Sequence, residues 1–125
     1  MLAVDVRKRL GEFSIDAQFA AEGGGTALFG TSGSGKTSIV NMIAGLLKPE
    51  TGRIALDGDV LFDSETGTDM PPHRRNIGYI FQEARLFPHM NVRSNLEYGR
   101  RMRGLSKDPL ASQRIVDLLG IGHLL

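Results

Sequence analysis

A glycine-rich octapeptide, Gly30-Thr31-Ser32-Gly33-Ser34-Gly35-Lys36-Thr37, limits what this chain can fold into more than any other feature. It matches the phosphate-binding loop pattern G-x-x-x-x-G-K-[ST] at every fixed position. That loop belongs between a buried strand and a helix. Residues 26–29 predict the short strand, and apolar residues at helical spacing predict the helix, which ends before Lys48-Pro49. Both flanks therefore fit the motif.

The chemistry that this loop offers is anion binding. Glycine permits backbone conformations in which successive N–H groups point at one anion, and the start of a helix adds unpaired N–H groups and a positive dipole end. Lys36 would add a full charge for the β- and γ-phosphates, and the Thr37 hydroxyl would ligate a Mg²⁺ ion that bridges them. The alternative is a turn that only joins strand to helix, and the two matching flanks favour the nucleotide site.

Composition excludes several other classes of protein. The 125 residues suffice for one small domain, and 41% hydrophobic with 23% charged residues is typical of a folded globular protein. A net charge of +1 provides no general electrostatic basis for binding nucleic acid or a membrane surface. The absence of cysteine excludes disulfides and thiolate metal sites. No run of residues approaches the ~20 apolar positions of a membrane-spanning helix.

The segments around the loop predict a strand-rich N-terminal part. Residues 1–29 and 51–63 are predicted to be mainly strands, with turns at Gly11 and at Asp57-Gly58. Residues 30–47 hold the phosphate loop and its helix.

The segments after residue 63 predict a loop, one more strand and two helices. Residues 64–75 are polar and are predicted to be a surface loop, with His73, Arg74 and Arg75 on a solvated face. Residues 77–90 are predicted to be a buried strand, 77–81, followed by a loop that begins at Gln82. Residues 91–125 are predicted to begin a helical subdomain, with helix caps at Asn91 and Asp108.

A second motif narrows the choice among the families of nucleotide-binding proteins that contain a phosphate loop. The stretch Arg74-Arg75-Asn76-Ile77-Gly78-Tyr79-Ile80-Phe81-Gln82-Glu83-Ala84-Arg85-Leu86-Phe87-Pro88-His89 resembles the strand and glutamine loop of ABC transporter ATP-binding subunits. Gly45-Leu46 with Pro49 and Gly52 matches the family's exit from the first helix. The resemblance covers essentially the whole chain. It is closest to the subunits of molybdate importers, on Gly58-Asp59-Val60-Leu61-Phe62-Asp63 and the sequence of residues 82–89.

The resemblance implies an α/β fold, a P-loop NTPase core with an N-terminal antiparallel β-subdomain. It implies ATP and Mg²⁺ as cofactors, with Lys36 and Gln82 as catalytic residues and with Thr37 and Gln82 at the metal. Gln82 would approach Mg²⁺ and the attacking water. The nucleotide-binding residues that it implies are Gly30, Ser32, Gly33, Ser34, Gly35, Lys36, Thr37 and Ser38.

The resemblance also implies partners and a location. A second copy of the subunit would complete a homodimer, and an integral membrane permease would dock near residues 82–89, which include Phe87, and on the following helix. A periplasmic or extracellular binding protein would act indirectly, and no nucleic acid is expected. The protein would be peripheral, at the cytoplasmic face of the cell membrane.

Three family features are not found within the 125 residues: an acidic strand that ends in Asp-Glu, a Ser-Gly-Gly signature and a later switch histidine. We therefore interpret residues 1–125 as the N-terminal part of one nucleotide-binding domain, truncated before the signature and Walker B segments. Such a piece is expected to bind nucleotide weakly with little turnover. It is also expected to self-associate or to be poorly soluble, because the missing strand would leave the sheet edge at residues 26–29 bare. The residue that would stack on adenine is left open.

Other functions stay open at the level of sequence. A small P-loop kinase or another NTPase would need an acceptor pocket or a base-reading motif, and neither is visible. A non-catalytic nucleotide-binding module is a third possibility. Within the family, sulfate, iron or polyamine could replace molybdate, since the transported substrate never touches this subunit.

Overall fold

The computed structural model of the protein describes residues 1–31 and 33–125. These residues form two compact units, Met1–Tyr79 and Ile80–Leu125. The predicted phosphate contact of Ser32 lies outside the described residues.

The first unit contains a five-stranded antiparallel sheet. Strand β1 pairs with β2 on one side and with β3 on the other, and the strand order is β2-β1-β3-β4-β5. The hairpin between β1 and β2 turns after Leu10, and the hairpin between β3 and β4 turns at Asp57-Gly58, so both predicted turns are confirmed. The strands are β1 Leu2–Leu10, β2 Phe13–Ala21, β3 Thr51–Leu56, β4 Asp59–Asp63 and β5 Thr68–Asp69.

One helix, α1 (Lys36–Ala44), packs its C-terminal half on this sheet. Met42 is fully buried there, and Ile39 and Ile43 pack around it. Burial of such a side chain stabilises the fold by about 1.5–3 kcal/mol. The first residues of α1 remain exposed or half-buried, so the fully buried part of the helix lies in its C-terminal half. The buried core consists of Val4, Val6, Ile15, Met42, Ile54, Leu61 and Phe62.

Two predicted strands are wrong. Residues 26–29 and 77–81 form neither helix nor strand, and Phe29 and Ile80 are 93% and 97% exposed. A short apolar run shows that a segment can be buried, but a strand also needs a neighbour for its backbone hydrogen bonds. Among the described residues, the sheet runs from β2 to β5 and neither segment pairs with it.

The second unit contains helices α2 (Val92–Met102) and α3 (Pro109–Leu119), with a short 3-10 turn at Gly122–Leu124. The Asn91 side chain accepts a hydrogen bond from the N–H of Ser94 at 2.8 Å. The Asp108 side chain accepts one from the N–H of Ala111 at 3.1 Å. Both predicted caps are therefore confirmed. Within residues 1–31 and 33–125, no helix is long and apolar enough to span a membrane.

Candidate nucleotide-binding site

The phosphate loop ends in the glycine that begins helix α1. Gly35 is the N-cap residue, and its φ of +94° lies in the left-handed region that side chains disfavour. A Cβ atom at this position would lie 3.2 Å from the side chains of Ile15 and Phe13 on strand β2. Glycine therefore lets the loop turn into the helix while it lies against the sheet.

The other end of the loop is folded back on itself. The N–H of Ser34 donates to the carbonyl of Thr31 at 3.1 Å. A Cβ atom at Gly30 would lie 2.6 Å from the Oγ of Ser34, so a larger residue would displace the Ser34 hydroxyl. Gly30 and Ser34 therefore lie close together in the loop, and their predicted contacts with a nucleotide remain predictions.

Lys36 reaches from the first turn of α1 across the loop. Its Nζ donates to the carbonyl of Gly30 and to the carbonyl of Thr31, the latter at 3.0 Å. These two bonds hold a positive charge above the loop backbone. A flexible ammonium in this position can exchange its bonds to backbone oxygens for bonds to phosphate oxygens.

The N-terminus of α1 differs from those of the other two helices. Gly35 provides no side-chain hydrogen bond to the first turn, and that turn contains no acidic residue. Asn91 and Asp108 each provide such a bond to α2 and α3. Because the first N–H groups of a helix have no intrahelical acceptor, the start of α1 offers them to an anion.

Thr37 and Ser38 follow Lys36 in this first turn. Thr37 is exposed and Ser38 is half-buried, and both residues lie where the loop meets the helix. Among residues 1–31 and 33–125, no group of three or more acidic or histidine side chains could hold a metal by itself. Mg²⁺ commonly binds through few protein oxygens together with substrate phosphates, so the loop and the Thr37 hydroxyl fit a magnesium nucleotide.

The C-terminal end of α1 carries a residue whose environment was predicted wrongly. Arg75 was expected on a solvated loop face, but it is only 3% exposed. Its Nη1 donates to the carbonyls of Met42 and Ile43, both at 3.0 Å, and its Nε donates to the carbonyl of Met70 at 2.7 Å. Its Nη2 pairs with Asp69 at 3.1 Å.

Burial lowers the pKa of the Arg75 guanidinium from its ordinary value, and the Asp69 carboxylate acts in the opposite direction. The group remains charged at neutral pH, since arginine does not deprotonate in proteins. A positive charge at the C-terminus of a helix stabilises the helix dipole. Arg75 therefore caps the last carbonyls of the helix that carries Lys36.

No local signal in the sequence identifies the burial of Arg75. Arg75 and Asn76 form a turn in which Asn76 has a φ of +59°, so Arg75 does not belong to an alternating extended segment. Its acceptors on α1, the carbonyls of Met42 and Ile43, lie 33 and 32 positions away in the chain.

Tyr79 makes a second contact with α1. Its hydroxyl donates to the Oδ1 of Asn41 at 2.5 Å. Sequence reasoning did not predict this pair. Asn41 lies five residues after Lys36 on the same helix, so one rigid element joins both contacts of residues 75–79 to the phosphate loop.

Gln82 belongs to the second unit and is exposed. Its predicted roles at the metal and in catalysis remain predictions. Asn95 of α2 organises the end of the predicted docking loop, because its amide nitrogen donates to the carbonyls of Phe87, Met90 and Asn91. The Phe87 ring packs on Tyr98 with centroids 4.4 Å apart and is still 39% exposed. Docking of a partner on Phe87 also remains a prediction.

Residues 16–124 match the family model described as ABC transporter. The chain is 60% identical to the molybdenum import ATP-binding protein ModC of Rhizobium meliloti (strain 1021), over 99% of this chain and 35% of that protein. It is 52% identical to ModC of Paramagnetospirillum magneticum, over 100% of this chain and 34% of the relative. It is 54% identical to ModC of Brucella melitensis, over 99% of this chain and 34% of that protein. The chain thus spans about a third of the length of these curated relatives.

Proposed function

The chain belongs to the ABC transporter family, and from this premise we propose that it is the phosphate-binding part of an importer's ATP-binding subunit. The observation that carries the proposal is the start of helix α1. There, Lys36 lies over a glycine loop, and the N-cap residue Gly35 provides no side-chain hydrogen bond to the first turn. This arrangement suits the β- and γ-phosphates of ATP.

The residues of the loop would contact different parts of the magnesium nucleotide. The backbone N–H groups of residues 33–36 would bind phosphate oxygens, with Gly30 and Ser32 shaping the loop and Ser38 reaching the α-phosphate. Lys36 would neutralise the charge that develops during phosphoryl transfer. The Thr37 hydroxyl would hold Mg²⁺, which supplies further charge neutralisation. Gln82 would orient the attacking water beside the metal.

The transported substrate is proposed to be molybdate. This rests on the three relatives at 52–60% identity, each named a molybdenum import ATP-binding protein. The proposal places the protein peripherally at the cytoplasmic face of the membrane, paired with a second copy. An integral permease would dock on residues 82–89 and α2, and a binding protein would deliver the ion. In this assembly, ATP hydrolysis by the longer polypeptide drives uptake.

Calorimetric titration with Mg-ATP tests the nucleotide site in the 125-residue chain. The unaltered chain is expected to bind saturably, and Lys36→Ala should weaken binding at least tenfold because the phosphates lose a charged donor. Lys48→Ala is the matched control. Lys48 is an exposed lysine beyond the opposite end of α1, so its loss should change the affinity less than twofold. Equal affinities for all three proteins would contradict the proposal.

Uptake measurements test the transport function in the longer polypeptide with its membrane partners. Cells that carry the intact protein should accumulate labelled molybdate, and cells that carry its Lys36→Ala variant should not. A tenfold excess of sulfate should leave the uptake of molybdate largely unchanged. If labelled sulfate accumulates and molybdate does not, the assignment of the substrate is wrong while the nucleotide site stands.

A further inference from the structure

We propose that Arg75 and Tyr79 are positioning residues, which fasten the segment that leads to Gln82 onto the helix of the phosphate loop. The inference rests on the proposed function, because it concerns how the segment before Gln82 is held on the helix that carries the phosphate loop. It adds two residues to which neither the loop motif nor the glutamine loop assigns a role. We call residues 75–79 and their two contacts with α1 the clamp.

The first contact of the clamp is made by a buried charge. The Arg75 guanidinium donates to the carbonyls of Met42 and Ile43 near the end of α1, and to the carbonyl of Met70. Asp69 balances its charge at 3.1 Å. Four bonds in one planar group fix both the position and the direction of the segment that follows.

The shape of the helix end is adapted to this contact. Gly45, the C-cap of α1, has a φ of +88°. A Cβ atom there would lie 2.8 Å from the Nε of Arg75 and 3.0 Å from its Cζ. Glycine therefore serves as the cap residue and also leaves space for the guanidinium.

The second contact of the clamp lies four residues further along the chain. Tyr79 donates its hydroxyl to Asn41, one turn back from the end of the helix. Residues 75–79 are consequently held at two points by a nine-residue helix whose first residue is Lys36. A helix of this length spans about 13 Å and behaves as a rigid rod.

Gln82 follows Tyr79 by only three residues. An extended chain advances about 3.3 Å per residue, so the Tyr79 contact limits the reach of Gln82 to about 10 Å from that anchor. If Gln82 acts at the metal, its placement depends on the clamp. A loosened clamp should leave phosphate binding intact and should reduce the response of the Gln82 region to nucleotide.

The chain has no cysteine, which allows a direct test. A single thiol is introduced beside Gln82 as Glu83→Cys, and its rate of labelling by a maleimide is measured with and without saturating Mg-ATP. The thiol is then placed in a Tyr79→Phe background, which removes one hydroxyl. Tyr98→Phe removes the hydroxyl of the other tyrosine and is the matched control. A thiol at Ser106→Cys, an exposed position, reports any general effect of nucleotide.

Mg-ATP is expected to change the rate of maleimide labelling at Glu83→Cys at least threefold, both in the parent, which carries only this substitution, and in the variant that also carries Tyr98→Phe. With Tyr79→Phe the change should fall below 1.5-fold, while the affinity for Mg-ATP stays within twofold. Arg75→Lys, which keeps the charge but not the four bonds, should give an intermediate response. The proposal is overturned if Tyr79→Phe responds like the parent, or if nucleotide binds without changing the rate in the parent. If no nucleotide binds at all, the proposed function itself has failed.

Discussion

The two ends of helix α1 differ in what satisfies their backbone groups. At the C-terminal end, the carbonyls of Met42 and Ile43 receive bonds from the buried Arg75 guanidinium, and Gly45 provides the cap. At the N-terminal end, Gly35 provides no side-chain cap, and Lys36 bends over an exposed loop. One helix thus has an end closed by its own protein and an end left open to an anion.

Within this nine-residue helix, the C-terminal end therefore contributes to stability and the N-terminal end is available for ligand binding. Groups that the protein satisfies internally contribute to the free energy of folding, and removing their partners is costly. Groups that are left for a ligand contribute little until the ligand binds. Helices α2 and α3, which are capped at their N-termini by Asn91 and Asp108, show how this chain closes a helix start when no ligand is needed there.

The largest expected effect is at the closed end. Arg75→Met should lower the free energy of unfolding by about 3 kcal/mol, because one buried and two partly buried hydrogen bonds to carbonyls and the ion pair with Asp69 are lost. Arg74→Met removes an exposed arginine from the adjacent position and should cost less than about 0.5 kcal/mol. Urea denaturation of both variants measures the difference. Similar values for the two would show that the C-terminal end is not closed by Arg75.

A smaller loss is expected from the cap beneath the guanidinium. Gly45→Ala should cost about 2 kcal/mol, since the new methyl group meets both a left-handed φ and the Arg75 side chain. Gly120→Ala is the control, because Gly120 caps α3 at a φ of +65° with no atom within 4 Å of its added Cβ. Gly120→Ala should therefore lower the free energy of unfolding only by the strain of a left-handed φ, about 1 kcal/mol. A larger loss at Gly120 than at Gly45 would contradict the adaptation of Gly45 to Arg75.

The side-chain cap at the start of α3 can be compared with the start of α1, where the N-cap residue provides no such bond. Asp108→Ala should destabilise that helix by about 1 kcal/mol, the usual loss when a capping side chain is removed. Hydrogen exchange at the N–H of Ala111 should accelerate accordingly. Asp108→Asn keeps the acceptor and should exchange at nearly the parent rate. Equal acceleration by both substitutions would show that the carboxylate charge, and not the capping bond, is what matters.

The smallest effect on stability is expected at the open end. Lys36→Ala removes two exposed hydrogen bonds from the ammonium to loop carbonyls and should change the free energy of unfolding by less than about 1 kcal/mol. The same substitution should still abolish most nucleotide affinity. Urea denaturation with and without Mg-ATP measures both quantities. A loss of stability that matches that of Arg75→Met would make Lys36 a structural residue.

Local signals in the sequence predicted much of this arrangement. The loop motif, both hairpin turns and the caps at Asn91 and Asp108 depend on a few neighbouring residues, and the structure contains each of these turns and caps. The family followed from two motifs that lie far apart in the chain. None of these inferences required knowledge of which segments pair in space.

The errors arose where distant partners decide the outcome. Residues 26–29 and 77–81 are apolar enough for strands, but strand formation depends on a paired neighbour, which composition cannot reveal. Arg75 lies in a run of polar residues, and its burial depends on carbonyls 32 and 33 positions away. The pair of Tyr79 and Asn41 likewise spans 38 positions.

Amide resonances recorded during a titration with Mg-ATP test the central claim most directly. We predict that the N–H signals of Gly33, Gly35, Lys36 and Thr37 move as nucleotide is added, and that those of Ser94 and Ala111, at the capped starts of α2 and α3, do not. If the loop signals stay in place while the sample remains folded, or if all three helix starts respond alike, the open end of α1 is not a phosphate site.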